Sequence, residues 1–293
     1  MTLPARTADP AARAVAACPG LRITGVMHRT GKSVLFTGTR QGHSVVAKVL
    51  TDQAPFWREK FGREAAAYRA FTAHPPPFAV PPLHAASTAA GVLVTGRAAG
   101  RPAADGRYPA VLAPPAAAVL LAAIASIRAW TPPAVLAQPA LDYAGRLARY
   151  RAAGLLDAAD AAALRVLLRR SADRWEFAHG DARPANVLVT EDGRATLIDW
   201  EFAGQYPPGR DLALLWVLLG AIPGARTRIE AEVGADPAVR AGFWTSAVTV
   251  LLRELRTHRE LPPAAPERAR LDHLAADWAA VRPVLHRLAR DSH

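Results

Sequence analysis

Cysteine is almost absent from this chain: Cys18 stands alone among 293 residues. No intramolecular disulfide can form, which excludes a small disulfide-stapled fold and fits a reducing, cytoplasmic setting. Lysine is nearly as scarce. Of the 36 lysines and arginines, only Lys32, Lys48 and Lys60 are lysines, and the arginines are scattered along an Ala-, Pro- and Arg-rich chain. Basic blocks of five or more are missing, so the net charge of +11 reads as a compositional habit rather than a nucleic-acid footprint. Long apolar runs are lacking as well. The stretch Tyr108–Ile127 is interrupted by Pro114-Pro115, and Leu212–Gly224 is too short to span a bilayer. The first ten residues, Met1 to Pro10, have no apolar h-region and read as no signal peptide. Neither a membrane nor a nucleic acid is an expected partner, and protein partners leave no signal. His28, His43, His74, His84, His258, His273, His286 and His293 show no metal-ligand spacing and read as surface or packing residues.

What remains is a chain 51% hydrophobic, enough for a sizeable core in one large or two small domains. After an Ala/Pro-rich start of weak helical period, Leu21–Gly25, Val34–Thr37 and Ser44–Leu50 read as a meander of three strands, punctuated by Gly38 and Gly42. Gly31-Lys32-Ser33 looks like the end of a phosphate-binding P-loop. However, the glycine that motif needs at position 26 is Val26, and a strand rather than a helix follows Ser33. Trp57–Phe71 is helical by period, with Phe61, Ala65, Tyr68 and Phe71 on one broad face. Pro75-Pro76-Pro77 and Pro81-Pro82 mark an extended connection before a buried strand, Gly91–Thr95. Beyond it the pattern is mostly helical, over 116–130, 141–153, 158–170, 211–219, 237–261 and 267–290. No repeat or long linker divides the chain.

One stretch concentrates polar residues between apolar runs. Val187–Val189 and Ala195–Ile198 flank the turn Glu191–Arg194 and predict a β-hairpin with a glycine in its loop. Asp181 and Asn186 precede the first strand and Asp199 follows the second, so antiparallel pairing brings two carboxylates and a carboxamide together. Oxygen donors of this kind suit Mg²⁺.

The spacing His-x-Asp-x-x-x-x-Asn, met by His179, Asp181 and Asn186, resembles the catalytic loop of protein kinase-like enzymes, and Asp199 resembles their second metal-binding aspartate. With His-Gly-Asp and Ile-Asp-Trp-Glu in place of the protein-kinase forms, the chain is similar to the aminoglycoside phosphotransferase family of small-molecule kinases. That resemblance implies an α+β, protein kinase-like two-lobe fold, with a small sheet-plus-helix lobe over about 1–95 and a mainly helical lobe over about 96–293. It implies Asp181 as catalytic base or orienter, Arg183 on the γ-phosphate, and Asn186 and Asp199 as Mg²⁺ ligands. Lys48 becomes the phosphate-gripping lysine and Glu64 its ion-pair partner, with Glu59 a competing choice. The turn around Gly31 and Ser33 would cover the triphosphate. The Gly96 carbonyl and Ala98 N–H, in a hinge over 96–102, would meet the base of ATP or GTP. Asp211 would brace the catalytic loop, and His179 would pack beneath it. Glu201 is open between the metal shell, the acceptor site and solvated surface.

Asp199 and Asp211 are only twelve positions apart, with no room for the activation segment of protein kinases, which argues against a protein substrate. The acceptor expected is a small hydroxylated molecule, an antibiotic among the candidates. Asp236–His293 carries many arginines, including Arg253, Arg256, Arg259, Arg268 and Arg270, and no acidic excess that would hold a polyamine. Glu201, Asp142 and Asp211 are acidic groups in reach of the cleft, but on the balance of charge a neutral or nucleoside-type acceptor is expected rather than a polycation.

Overall fold

The computed structural model describes residues 9–291; the outermost ends of both expected lobes, residues 1–8 and 292–293 with His293, lie outside the described residues. The chain opens with helix α1 (Pro10–Ala17), strands β1 (Leu21–Arg29), β2 (Ser33–Arg40) and β3 (His43–Leu50), helix α2 (Pro55–Ala73), and strands β4 (Leu83–Ser87) and β5 (Val92–Gly96). The five strands form one antiparallel sheet in the order β1-β2-β3-β5-β4. Alternation along β3 explains its two faces. Val45, Ala47 and Val49 are buried in a small core with Ala14 and Cys18 of α1, while Val46 and Lys48 point to the other side, where Leu35 and Leu93 flank them.

The larger, helical part follows: β6 (Arg101–Pro102), α3 (Pro114–Arg128), α4 (Tyr143–Ala152), α5 (Ala158–Arg170), β7 (Glu176–Ala178), β8 (Val187–Val189), β9 (Ala195–Leu197), β10 (Gly204–Tyr206), α6 (Arg210–Leu218), α7 (Ala225–Val233), α8 (Pro237–Glu260) and α9 (Leu271–Arg290). Every residue of α6 is buried, and it packs against α8 in the main hydrophobic core. The architecture is the α+β arrangement expected, an antiparallel-sheet lobe and a helical lobe.

Three details depart from the sequence reading. The segment expected as a hinge contains β6, which pairs with β8 to give a three-stranded sheet β6-β8-β9. Helix α7 has no forerunner in the sequence pattern, because only Ile229 and Val233 of its nine residues are buried. The last helix begins later than its apolar period suggests, at Leu271, after a 3₁₀ turn over Pro266–Arg270. Among the described residues no helix is long and apolar enough to cross a membrane.

Candidate active site

The hairpin predicted from sequence forms in register. Val187 pairs with Leu197 and Val189 with Ala195, and the Ile198 N–H donates to the Asn186 carbonyl at 3.0 Å. This last bond puts Asn186 beside the start of Ile198-Asp199-Trp200-Glu201. Trp200 is fully buried and anchors that segment. Its ring stacks against Phe78 at 5.2 Å, meets Phe71 edge-on at 4.8 Å and sits 4.4 Å from the His179 ring. With Trp200 held in the core, Asp199 turns outward through a left-handed backbone conformation, φ 66°, which is uncommon for a residue with a side chain.

The loop that carries Asp181 is fixed from below. Asp211, at the first turn of α6, accepts the backbone N–H groups of His179 at 2.8 Å and Gly180 at 2.9 Å. His179 is buried and bonds through Nε2 to the Ile198 carbonyl at 2.9 Å. Gly180 has φ 80°, and a Cβ there would lie 2.3 Å from the Phe202 carbonyl oxygen, so only glycine fits between the loops. Asn186 donates its amide to the Asp181 carbonyl at 2.9 Å, which leaves the amide oxygen as the end able to ligate. Arg183 Nε stands 3.4 Å from Asp181 Oδ2.

Across the cleft, Lys48 reaches three carboxylates. Its Nζ is 2.7 Å from Glu64 Oε2, 2.7 Å from Asp199 Oδ1 and 3.4 Å from Glu201 Oε2. Burial works against the Lys48 charge, but the three carboxylates outweigh it and hold its pKa well above the usual lysine value. Burial likewise opposes ionisation of Asp199, yet the charge and hydrogen bond of Lys48 keep its carboxyl well below the usual range. Burial raises Glu64. Glu59, the competing choice, pairs instead with Arg63 one turn on, at 3.0 Å.

Glu201 is not the solvated residue that the sequence left possible. It is 4% exposed and also forms an ion pair with Lys32, whose ammonium group lies 4.6 Å from the centre of the Trp57 ring. Lys32 has no role of its own in the sequence pattern. Its rarity was the one signal: a third lysine, placed in the β1–β2 turn. That turn is a hairpin, as the rejection of a P-loop requires. Within it Thr30 Oγ1 accepts the N–H groups of Lys32 at 3.3 Å and Ser33 at 3.0 Å, Ser33 is buried, and Gly31 has open space around it.

The cleft between the two lobes has a volume of about 460 Å³, within the usual range for small-ligand sites. Its walls include Ser33, Lys48, Glu64, Gly96, Ala98, Arg183, Asn186 and Asp199. Carboxylate oxygens of Glu64, Asp199 and Glu201 converge within 4.8 Å. A set made only of hard oxygen donors matches Mg²⁺ rather than a thiophilic or imidazole-loving metal. A separate apolar cavity, lined by Leu120, Leu215, Leu219 and Ile229, carries no comparable chemistry.

The aminoglycoside phosphotransferase APH(4)-Ia, in a ternary complex with ADP and hygromycin B, has a similar fold, with a TM-score of 0.52 and 16% identity over 94% of this chain and 95% of that one. A choline/ethanolamine kinase family protein from Mesorhizobium loti gives a TM-score of 0.56 at 20% identity, covering 96% of this chain and 97% of its own. The GDP complex of aminoglycoside 2'-phosphotransferase-IIIa gives 0.57 at 14%, covering 97% and 98%. No curated protein sequence matches. The pattern of the phosphotransferase enzyme family (APH) matches residues 30–243, which take in strands β2 to β5, Lys48, Glu64, the β8–β9 hairpin and Asp211; this chain belongs to that family.

Proposed function

We propose that the protein transfers the γ-phosphate of ATP or GTP to a hydroxyl of a small molecule, with Mg²⁺ as cofactor. The observation that carries this reading is Lys48 joined at once to Glu64 and Asp199, opposite a loop that holds Asp181 against Asn186. In the proposed mechanism Glu64 holds Lys48 in place, and Lys48 grips the phosphates. The Gly31–Ser33 turn covers them, with the Gly96 carbonyl and Ala98 N–H meeting the base. The hinge is assigned to about 96–102, between lobes of about 1–95 and 96–293. Asn186 and Asp199 would hold Mg²⁺, with the Glu201 carboxylate adjacent. Bound there, the ion would neutralise charge on the phosphate oxygens. Asp181 orients the acceptor hydroxyl and takes its proton as the oxygen forms a bond to the γ-phosphorus. The bond from that phosphorus to the bridging oxygen breaks, and the electron pair leaves with the nucleoside diphosphate. Arg183, beside Asp181, contacts the γ-phosphate in this reading.

The neighbouring structures hold ADP in one case and GDP in another, which supports a nucleotide donor and leaves both bases open. A polyamine acceptor fits poorly. Asp142 caps α4 through the Gly145 N–H, Asp211 is spent on the catalytic loop, and Glu201 is spent on two lysines. We therefore assign a hydroxylated acceptor of neutral or nucleoside type, an antibiotic modified for resistance or self-protection among the candidates. The test is diphosphate release with ATP and GTP at low salt, comparing kanamycin-like polycations with neutral hydroxylated compounds. Stimulation by the neutral group supports the reading; efficient turnover confined to polycations overturns the acceptor class. A nucleotide that fails to bind at all overturns the kinase reading.

A further inference from the structure

Glu254 on α8 is 2% exposed and takes donors from three side chains. Arg107 grips it with two prongs, at 2.8 and 2.6 Å, the Tyr108 hydroxyl at 2.5 Å and Arg253 Nε at 2.9 Å. The Arg270 guanidinium lies 4.3 Å over the Tyr108 ring. His258 packs against the same ring at 5.6 Å and bonds through Nδ1 to the Glu254 carbonyl. Burial would raise the Glu254 carboxyl, but the Arg107 hydrogen bonds and the charges of Arg253 and Arg107 hold it at about 2. One carboxylate is thus shared by Arg107 and Arg253, Arg270 lies on the ring beside it, and the cluster keeps a positive excess.

Two of those cations are incompletely paired. Arg253 Nη2 and Arg270 Nε are buried atoms with no hydrogen-bond partner among the described residues. Leaving a buried donor unpaired costs about 1–3 kcal/mol, more when it is charged, and native structures rarely tolerate it without a reason. Guanidinium groups match carboxylate and phosphate oxygens in geometry as well as charge.

The cluster also has a defined place. Arg101-Pro102 pairs with β8, and the Ala103 N–H donates to the carbonyls of Pro184 at 3.1 Å and Val187 at 2.9 Å. The chain thus leaves directly from the loop that carries Asp181 and reaches Arg107 four residues later. Arg107 is close enough for the Asp181 charge to act on it.

We infer that this arginine cluster is an anion subsite for the acceptor: the hydroxylated substrate carries a carboxylate or phosphate held by Arg253 and Arg270 while its hydroxyl meets Asp181. The inference rests on the phosphotransferase reading of the Asp181 loop and narrows its acceptor class, from a neutral compound to one negatively charged at one end.

The test uses the whole protein saturated with Mg²⁺ and AMP-PNP, so that the nucleotide phosphates' own site is filled. Inorganic phosphate and acetate are titrated by calorimetry and by thermal denaturation, with chloride at matched ionic strength as the control. Wild type should bind the oxyanions and gain in denaturation midpoint over chloride. Arg253→Gln and Arg270→Gln should each weaken oxyanion binding by about 10–100-fold, as expected for a lost charge-assisted hydrogen bond. Arg253→Lys, which keeps the charge without the fork, should fall between. Equal midpoints in chloride and phosphate, or wild-type oxyanion affinity in both glutamine variants, would overturn the subsite. AMP-PNP binding, measured first in each protein, reports folding. Its absence in the wild type would count against the phosphotransferase reading instead, before any oxyanion is added.

Discussion

Around Lys48 the carboxylates outnumber the cations; around Glu254 the cations outnumber the carboxylate. Lys32 and Lys48 face Glu64, Asp199 and Glu201, whereas Glu254 alone takes Arg107 and Arg253, with Arg270 over the adjoining Tyr108 ring. The choice of cation follows the same division. A lysine ammonium is a point charge on a flexible stem and can be shared among several oxygens, as Lys48 is; an arginine fork locks one partner in one geometry, as Arg107 locks Glu254. A negative excess suits a site that admits a metal ion and redistributes its contacts. A positive excess held rigidly suits a site that recognises one fixed anionic shape.

The comparison breaks most completely at Asp199. Asp199→Ala removes a carboxylate from the lysine side, and Mg²⁺-dependent transfer should be lost, as it should be for wild type in EDTA. Transfer that survives both treatments would remove the basis for a metal on that side. Next is Asp181, on the loop held by Asn186 and Asp211. Asp181→Asn should lower turnover by about 10²–10⁴-fold, while calorimetry shows nucleotide affinity unchanged. Near-normal turnover would strip Asp181 of its role.

Smaller effects sharpen the contrast. Lys48→Ala and Glu64→Ala should each weaken transfer, and the double variant should cost less than the sum by about 0.5–3 kcal/mol, because each single change already breaks the same contact. Additive losses would show that the 2.7 Å contact does not act as a pair. On the arginine side the handle is pH. The folded-state pKa of Glu254, about 2, lies below its ordinary value of 4.5. Its contribution to stability is therefore complete above about pH 4.5 and is lost as pH falls from there toward 2, because the unfolded chain takes up the proton first. Denaturant titrations at pH 6 and pH 3 should show wild type losing about 2 kcal/mol more than Glu254→Gln over that interval. Parallel losses would mean that the cluster does not depend on the Glu254 charge.

How much of this was legible in the sequence depended on distance along the chain. The β8–β9 hairpin was readable because two apolar runs and a glycine turn lie within twelve residues, and its polar flanks, Asp181, Asn186 and Asp199, follow from the register. Lys48 stood out through rarity; the period marked the helix that carries Glu64, and the family resemblance made Glu64 its partner. The acidic residue that lost, Glu59, differs only in which side of α2 it occupies, where Arg63 neutralises it. The pairing of Arg107 with Glu254 joins an aperiodic loop to a helix 147 positions later, and nothing local marks either residue. The Lys32–Glu201 pair was hidden for the same reason, across 169 positions. Helix α7 escaped because a stripe of two buried residues is no stronger than chance.

The scarcity of lysine has a practical side. Acylating reagents attack amines and leave guanidinium groups untouched, so apart from the amino terminus this protein offers them three targets. Lys60 is buried and Lys48 nearly so, with side chains 7% and 13% exposed, and Lys32, in the lining of the cleft, reaches 22%. The arginine-for-lysine habit thus leaves an almost blank background. A single mass increment at Lys32, present without nucleotide and absent with it, would count open clefts molecule by molecule.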